Sequence, residues 1–191
     1  MTRDKLLDAA GRLLATQGTG FSLPDLARAA GVSPATTYRH FTSTQDVFRE
    51  FYDRKIGELV DELRNAADGP GTALERFGRI GTRWAELATL WGTAAAQIRS
   101  AEGFLQRARR GEPKTSALLA TLGPVVEALA AEREIPRQNV DYAVLLWINV
   151  FDERAVVDLT STLGWTSRRV ARALSGSVLA ALRATHGSDP G

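Results

Sequence analysis

The 191-residue sequence contains no cysteine, only two histidines and only three lysines among its 24 basic residues. Without cysteine the chain forms no disulfide bond and no thiolate metal site, and this fits a reducing cytoplasm, where we expect the protein. With so few histidines and no glycine-rich phosphate loop, the sequence offers no credible nucleophile, metal cluster or nucleotide site. We therefore expect no catalytic residue, no metal, no cofactor and no enzyme activity.

Long apolar runs are also missing. No segment approaches the roughly 20 apolar residues that a membrane span needs, and Met1 to Lys5 lead into an amphipathic pattern rather than a signal peptide. Hydrophobic residues nevertheless make up 44% of the chain, enough for a substantial core. The net charge of +2 is a weak basic signal that does not by itself indicate nucleic acid. We expect no membrane partner.

Apolar residues recur at helical spacing along the chain, and the alternation typical of strands is absent. The pattern predicts an all-α protein. Helix-capping residues and glycine or proline breaks set the limits of the predicted helices. These helices cover residues 3–17, Ser22 to Gly31, Ser33 to about Phe41, 44–66, 72–105, 115–132, 137–160, and Ser167 to about Ala184, with loops at 68–71 and 107–114.

The most informative segment lies between residues 22 and 41. Two short helices, each opened by a serine cap and a nearby proline, are joined by a tight turn at Gly31 and Val32. Ala27 lies four residues before Gly31, where a small side chain lets the second helix cross closely. This spacing is typical of a helix-turn-helix, whose second helix enters the major groove of DNA.

A longer pattern is much more specific. Its residues are Phe21-Ser22-Leu23-x-x-Leu26-Ala27-x-x-Ala30-Gly31-Val32-Ser33-x-x-Thr36-x-Tyr38-x-His40-Phe41-x-Ser43. The pattern closely resembles the signature of the TetR family of transcriptional regulators. The resemblance covers about residues 3–60, and beyond residue 66 only the helical layout and the length match.

The resemblance implies an N-terminal three-helix helix-turn-helix DNA-binding domain over residues 1–45. It also implies a C-terminal helical effector-binding and dimerisation domain over residues 46–191. A protein of this kind is expected to be a homodimeric repressor that binds a palindromic double-stranded DNA operator and leaves it when a small, largely apolar effector binds. An enzyme and a helical partner-binding module that has lost DNA binding are the alternatives.

Physical reasons select the DNA-contacting side chains within the helix-turn-helix. The first turn of the third helix should meet base edges, and Arg39 is expected to read a guanine, because arginine binds that base with two hydrogen bonds. Tyr38 by family analogy, and Ser22 at the start of the second helix, should bind phosphate. The full predicted set is Ser22, Arg28, Ser33, Pro34, Ala35, Thr36, Tyr38, Arg39, His40 and Thr44.

Several of these residues have simpler interpretations, and two departures from the family stand nearby. Tyr38 and Phe41 could be core residues, while Arg28 and His40 could be solvated surface side chains. Thr44 stands where many family members carry lysine, which should weaken DNA binding. Thr37 replaces a larger aliphatic residue and is expected either to bond back to a helix carbonyl or to loosen the packing.

The C-terminal region contains the large aromatic residues that an apolar effector pocket would need, although ordinary core packing explains each one equally well. Its last helix carries Val170, Leu174, Val178 and Leu182 at spacing four beside small residues, which resembles the dimer interface of the family. A monomeric core helix is the alternative. The predicted effector-contacting residues are Phe77, Trp84, Trp91, Arg99, Tyr142 and Asn149, with Gln97 as a further polar candidate.

Two polar features of this region have more than one interpretation. Asn149 lies within an apolar run, where a buried amide needs partners, and it could bind ligand, cross the dimer interface or bond a neighbouring helix. Arg107, Arg109 and Arg110 form either a second nucleic-acid patch or, as we expect, a solvated loop.

Overall fold

A computed structural model describes residues 1–95 and 102–184, and of residues 91–95 it describes only the helical backbone. Every regular element in these ranges is helical, which confirms the all-α prediction. The helices are α1 Thr2–Gln17, α2 Leu23–Ala30, α3 Pro34–His40, α4 Thr44–Asp68, α5 Ala73–Ala95, α6 Phe104–Arg109, α7 Pro113–Ala131, α8 Val140–Val150, α9 Glu153–Val157 with a π-helical continuation Asp158–Thr162, and α10 Ser167–Ala184. None of the described helices is long and apolar enough to cross a membrane.

A first hydrophobic core joins α1, α2, α3 and the beginning of α4. Leu6, Leu14 and Leu26 are fully buried in it, and the rings of Phe21 and Phe48 meet edge to face at 5.3 Å between centroids. Burying such side chains contributes about 1.5–3 kcal/mol each. This core holds the three short helices in a fixed arrangement.

A second hydrophobic core fills the space between the remainder of α4 and the later helices. Leu59 and Leu63 of α4 belong to this core, whereas Phe51 belongs to the first. The packing therefore changes from one core to the other between Phe51 and Leu59. The predicted domain boundary after residue 45 falls at the start of α4, so α4 is shared by both cores.

The capping serines and the turn glycine of the helix-turn-helix take the roles that the sequence predicts. The Ser22 hydroxyl accepts the Asp25 N–H at 3.3 Å, and the Asp25 carboxylate accepts the Ser22 N–H at 3.0 Å. Each side chain thus provides an acceptor for the backbone N–H of the other residue, which has no partner within the helix. Gly31 ends α2 in the left-handed conformation, with φ 67° and ψ 35°. Ser33 caps α3 by accepting the Thr36 N–H at 3.1 Å.

The predicted loop at 107–114 is mostly wrong. Helix α6 continues through Arg109, and α7 already begins at Pro113. Proline is favoured at the first position of a helix, where its missing N–H is not needed, so this residue marks a start rather than a loop.

The predicted continuous helix over 137–160 is also wrong. Helix α8 ends at Val150, and Asp152 caps α9 by accepting the Arg154 N–H at 2.9 Å.

At the start of α10, Ser167 is the first helical residue, and the hydroxyl of Thr166 accepts the Arg169 N–H at 3.3 Å. Thr166 therefore makes this capping contact, whereas the sequence pattern predicts Ser167 as the cap.

Helix α10 packs against α5, and Gly81 is the point of close approach, since a Cβ there would lie 2.3 Å from Ser175 Oγ. The apolar residues that recur at every fourth position of α10 face the core of the same chain rather than a partner subunit. Val170, Val178 and Leu182 are fully buried within the single chain, and Leu174 is partly buried against the same core. The prediction that this stripe forms the dimer interface is wrong, because the second core already covers it.

The turn between α2 and α3 should depend on glycine at position 31. A Cβ at φ 67° is strained although no atom lies within 4 Å, so Gly31→Ala should lower the free energy of unfolding by about 1–2 kcal/mol. Gly57→Ala in α4, where a Cβ also meets no atom but φ is helical, should instead raise it by about 0.5–1 kcal/mol. Urea unfolding of both variants measures the difference, and equal effects at the two positions would contradict the assignment.

Candidate functional site

Helix α3 presents one face to the core and the opposite face to solvent. Thr37 and Phe41 point inward and are buried, whereas Tyr38 is 55% exposed. The core interpretation is therefore confirmed for Phe41 and wrong for Tyr38. Pro34, Ala35 and Arg39 are exposed on α3, while Thr36 and His40 are partly exposed.

Hydrogen bonds organise the exposed face of α3 into a connected row. The hydroxyls of Ser33 and Thr36 lie 2.8 Å apart, and Arg39 Nη2 donates to Thr36 Oγ1 at 3.1 Å. We call these three residues the α3 row. Thr37 Oγ1 donates to the Ser33 carbonyl at 3.4 Å, which is the back-bonding alternative expected for this threonine. The guanidinium of Arg39 is thus held above the first turn of α3.

The start of α2 forms a second polar cluster. Arg28 Nη1 lies 3.0 Å from Asp25 Oδ1, and the side chain of Arg28 is 79% exposed. The hydroxyl and N–H of Ser22 donate to Asp25, and these bonds, together with the charge of Arg28, hold the pKa of the Asp25 carboxyl below its ordinary value. Arg28 is exposed but already has an anionic partner.

Thr44 is the first residue of α4, directly after the cap Ser43, whose hydroxyl accepts the Asp46 N–H at 3.2 Å. A hydrogen bond from Thr42 lowers the pKa of Asp46. Arg49 lies 3.4 Å from Asp46 and is 72% exposed. Our sequence reasoning missed this cation, although its position, five residues after Thr44 on a predicted helix, was available from the sequence.

Arg3 on α1 is a further residue that the sequence reasoning missed. Its guanidinium pairs with Glu50 of α4 and lies 5.0 Å from the ring centroid of Phe41. It therefore connects α1 and α4 at the end of α3. A single arginine at the start of a helix carries no signal of such a role.

The C-terminal region contains a cavity of about 220 Å³. Two predicted effector-contacting residues, Trp84 and Asn149, line it. Phe77 does not, because its ring packs against Trp147 at 4.3 Å, and neither does Tyr142, which is 47% exposed. The full lining is Tyr52, Ile56, Leu59, Trp84, Glu102, Gly103, Phe104, Arg107, Thr115, Leu118, Leu145, Ile148, Asn149, Phe151 and Glu153.

The remaining predicted residues of this site give different outcomes. Gln97 and Arg99 lie outside the described residues, and so does the side chain of Trp91. Asn149 is exposed rather than buried, and its amide donates to the Leu145 carbonyl at 2.8 Å. The expectation of a buried amide is wrong, because the cavity opens beside this turn of α8.

The arginines of α6, and Arg110 directly after it, are paired with carboxylates. Arg107 Nη2 donates to Glu112 at 2.8 Å, and this partner lowers the pKa of Glu112. Arg109 lies 3.4 Å from Asp141, and Arg110 pairs with Glu102. The alternative of a second nucleic-acid patch is not favoured by these pairs. Sequence reasoning placed Arg107 in a loop and so missed it as a cavity residue.

Comparisons with known proteins agree with this geometry. The family described as bacterial regulatory proteins, tetR family, matches residues 6–51. The chain is 42% identical over 83 residues to the HTH-type transcriptional regulator AcrR of Shigella flexneri, a match that covers 41% of this chain and 38% of that protein. It is 35% identical over 79 residues to the HTH-type transcriptional regulator BetI of Rhizobium meliloti, covering 41% and 39%. These matches span about two fifths of the length of the curated relatives.

Solved structures share the whole fold at low sequence identity. The fatty acid degradation regulator FadR from Bacillus halodurans has a TM-score of 0.75 at 17% identity, covering 93% of this chain and 94% of its own. FadR from Bacillus subtilis, in complex with stearoyl-CoA, has a TM-score of 0.73 at 20% identity, covering 96% and 99%. At this identity the likeness establishes the fold alone.

The carboxyl of Asp25 should make stability depend on pH. Its pKa is lowered by folding, so its stabilising effect is present above its ordinary pKa and is lost as the pH falls through its folded-state value. Asp25→Asn should therefore destabilise the protein at neutral pH, and the difference from the parent protein should disappear as the pH falls through the lowered pKa of Asp25. Urea unfolding at several pH values measures this. Asp61→Asn, which removes the exposed α4 carboxylate beside Arg64, should change little at any of these pH values, and a pH-independent loss for Asp25→Asn would contradict the role of its charge.

Proposed function

By its N-terminal domain this chain belongs to the tetR family of bacterial regulatory proteins, and from that premise we propose that it is a cytoplasmic, sequence-specific DNA-binding repressor that a small, largely apolar ligand releases from its operator. The observation that carries the proposal is the α3 row, exposed within the matched domain. The Thr36 hydroxyl and the Arg39 guanidinium offer hydrogen-bond donors and acceptors to base edges in the major groove.

The predicted DNA-contacting residues divide into those proposed to read bases and those proposed to bind phosphates. Arg39 reads guanine, with Pro34, Ala35, Thr36 and His40 near neighbouring bases. Phosphates are bound by the Tyr38 hydroxyl, by Ser22, Ser33 and Arg28, and by the start of α4 at Thr44. The exposure of Tyr38 supports this division, because a side chain that is 55% exposed is not enclosed by the core and can meet a DNA phosphate.

Ligand control is proposed from the position of the cavity. Tyr52, Ile56 and Leu59 of α4 line it, and Phe51 of the same helix packs in the first core. A ligand therefore touches the helix that carries the DNA-binding helices. It must favour the released arrangement of α4, because equal affinity for both arrangements would shift nothing. The complex of Bacillus subtilis FadR with stearoyl-CoA is a precedent for ligand binding by this fold.

We place the homodimer interface on the outer faces of α8 and α10. The exposed side of α10 consists of small residues, with Gly176, Ser177 and Ala180 open to solvent. Tyr142 is the exposed aromatic residue of the neighbouring α8. Small residues allow the close helix approach that a four-helix interface needs. Two subunits related by a two-fold axis would match the symmetry of a palindromic operator.

Arg39 should decide the base preference of the protein. Binding sites are first selected from random-sequence duplex DNA, and Arg39→Ala should then cost about 1–3 kcal/mol and relax the preference at one position in each half-site. Arg154→Ala removes an exposed arginine remote from α3 and serves as the control. Fluorescence anisotropy with point-substituted duplexes measures both.

Two results would change this assignment. Equal weakening on all sequences would give Arg39 a phosphate role. The selection of no preferred sequence by the parent protein would contradict DNA recognition and favour the partner-binding helical module.

The dimer should depend on the outer face of α10. Ala180→Arg should produce monomers, because an unpaired charge in an apolar interface is costly. Ala131→Arg changes an exposed alanine at the end of α7 and should leave the dimer intact. Sedimentation velocity measures both species, and a dimer that survives Ala180→Arg would move the interface elsewhere.

A further inference from the structure

The C-terminal end of α3 lacks the glycine that closes α2. Gly31 ends α2 in the left-handed conformation, whereas the backbone at Phe41, directly after α3, is extended. The last carbonyls of a helix have no partner within that helix. The position of this end of α3 therefore depends on contacts from other elements. Arg39, the proposed base reader, is the penultimate residue of α3, so its own position depends on the same contacts.

Arg3 of α1 supplies such contacts. Its Nη1 atom lies 3.5 Å from the carbonyl oxygen of His40, the last residue of α3, and its guanidinium lies 5.0 Å from the ring centroid of Phe41. A cation is attracted to the C-terminal end of a helix by the helix dipole, and to the face of an aromatic ring by the charge distribution of the ring. Arg3 therefore meets the end of α3 both at its backbone and at the side chain that follows.

Glu50 of α4 fixes the orientation of this guanidinium. The Nε and Nη2 atoms of Arg3 donate to the two carboxylate oxygens of Glu50, which leaves Nη1 for the His40 carbonyl. Two parallel hydrogen bonds of this kind fix the direction of an arginine as well as its position. Lysine has no planar fork and cannot take the same part. One side chain thus joins α1, α3 and α4.

A second ion pair between α1 and α4 shows what Arg3 adds. Arg54 of α4 donates to Asp8 of α1 at 2.8 Å and to Glu58 of α4 at 3.1 Å. Both pairs are partly exposed, with side-chain exposures between 32% and 53%. Among the contacts of the described residues, Arg3 reaches α3 whereas Arg54 stays between α1 and α4. The second pair is therefore a matched control for the first.

We propose that Arg3, oriented by Glu50, is a positioning residue that sets the angle at which α3 enters the major groove, and with it the base that Arg39 meets. This inference rests on the proposed DNA recognition and adds to it a residue outside the helix-turn-helix. An exposed arginine could instead bind a DNA phosphate directly, and the experiments below separate the two roles.

Two matched variants separate positioning from charge. Glu50→Gln and Asp8→Asn each remove one carboxylate from an α1–α4 pair and raise the net charge by one unit. Charge alone would make both variants bind DNA more tightly. Because Glu50→Gln also frees the guanidinium of Arg3, it should instead bind the selected operator about fivefold more weakly, the effect of one misplaced base contact. Asp8→Asn should not weaken binding. Fluorescence anisotropy at one salt concentration measures both.

Arg3→Lys tests the geometry at constant charge. Lysine keeps the positive charge but loses the two parallel hydrogen bonds. Binding to the selected operator should again weaken about fivefold, with a relaxed preference at the position that Arg39 reads on point-substituted duplexes. Affinity for an unrelated duplex and the salt dependence of binding should not change, because no phosphate contact is lost. Arg3→Met, which removes the charge as well, should behave in the same way.

Coupling between Arg3 and Glu50 gives a further measurement. The double variant Arg3→Lys with Glu50→Gln should bind the operator no more weakly than either single variant, because all three lack the same contact. Urea unfolding shows whether each variant is folded under the binding conditions. A role in stability alone would lower the free energy of unfolding and leave the operator affinity of the folded protein unchanged, and this result would refute positioning.

Three other results would overturn the inference. These are parent-like operator binding by Arg3→Lys, tighter binding by both Glu50→Gln and Asp8→Asn, or an equal loss on all sequences with a lower salt slope for Arg3→Met, which would make Arg3 a phosphate contact. The parent protein distinguishes these failures from that of the proposed function. If it selects a preferred sequence and the variants retain its affinity, DNA recognition stands and positioning fails. If it selects no sequence, DNA recognition itself fails, and this inference fails with it.

Discussion

The sharing of α4 between two cores is the constraint on which the rest of the structure depends. Phe48 and Phe51 of this helix pack with α1–α3, and Leu59 and Leu63 pack with the later helices. Protein interiors are close-packed, so a displacement of the second half of α4 is carried to the first half rather than absorbed between them. The helix is 25 residues long, or about 37 Å, which is enough to turn a small tilt into a shift at its far end.

Charged contacts hold α4 from both sides near the change of core. Arg54 reaches Asp8 of α1 at 2.8 Å, and Lys114 of α7 lies 3.5 Å from Asp53. Each is a surface pair worth about 0–1 kcal/mol, so they orient the helix without locking it. The position of α4 is therefore set mainly by the apolar side chains that it buries in the two cores.

The N-terminal half could be predicted closely because its determinants are local. Ser22 and Ser33 cap helices within three residues of themselves, and Gly31 supplies a left-handed turn that few other residues tolerate. The C-terminal half depends on contacts distant in sequence. Phe77 and Trp84 look alike in sequence, yet one packs on Trp147 and the other faces the cavity, because only the tertiary packing decides where space remains. The break after α8 was missed for a related reason, since its apolar run hides the single capping aspartate.

The paired arginines explain why a weakly basic chain remains compatible with the proposed DNA contact. Arg28 pairs with Asp25 and Arg49 with Asp46, while Arg39 is held by the neutral Thr36 hydroxyl. The two ion pairs are exposed and contribute little to stability, so exchanging a carboxylate for a phosphate has a small cost. Within the described residues Arg39 forms no ion pair with a carboxylate, and it is the arginine proposed to read a base. The net charge of the whole chain therefore describes the proposed DNA-facing surface poorly, because Arg28 and Arg49 are exposed there beside Asp25 and Asp46.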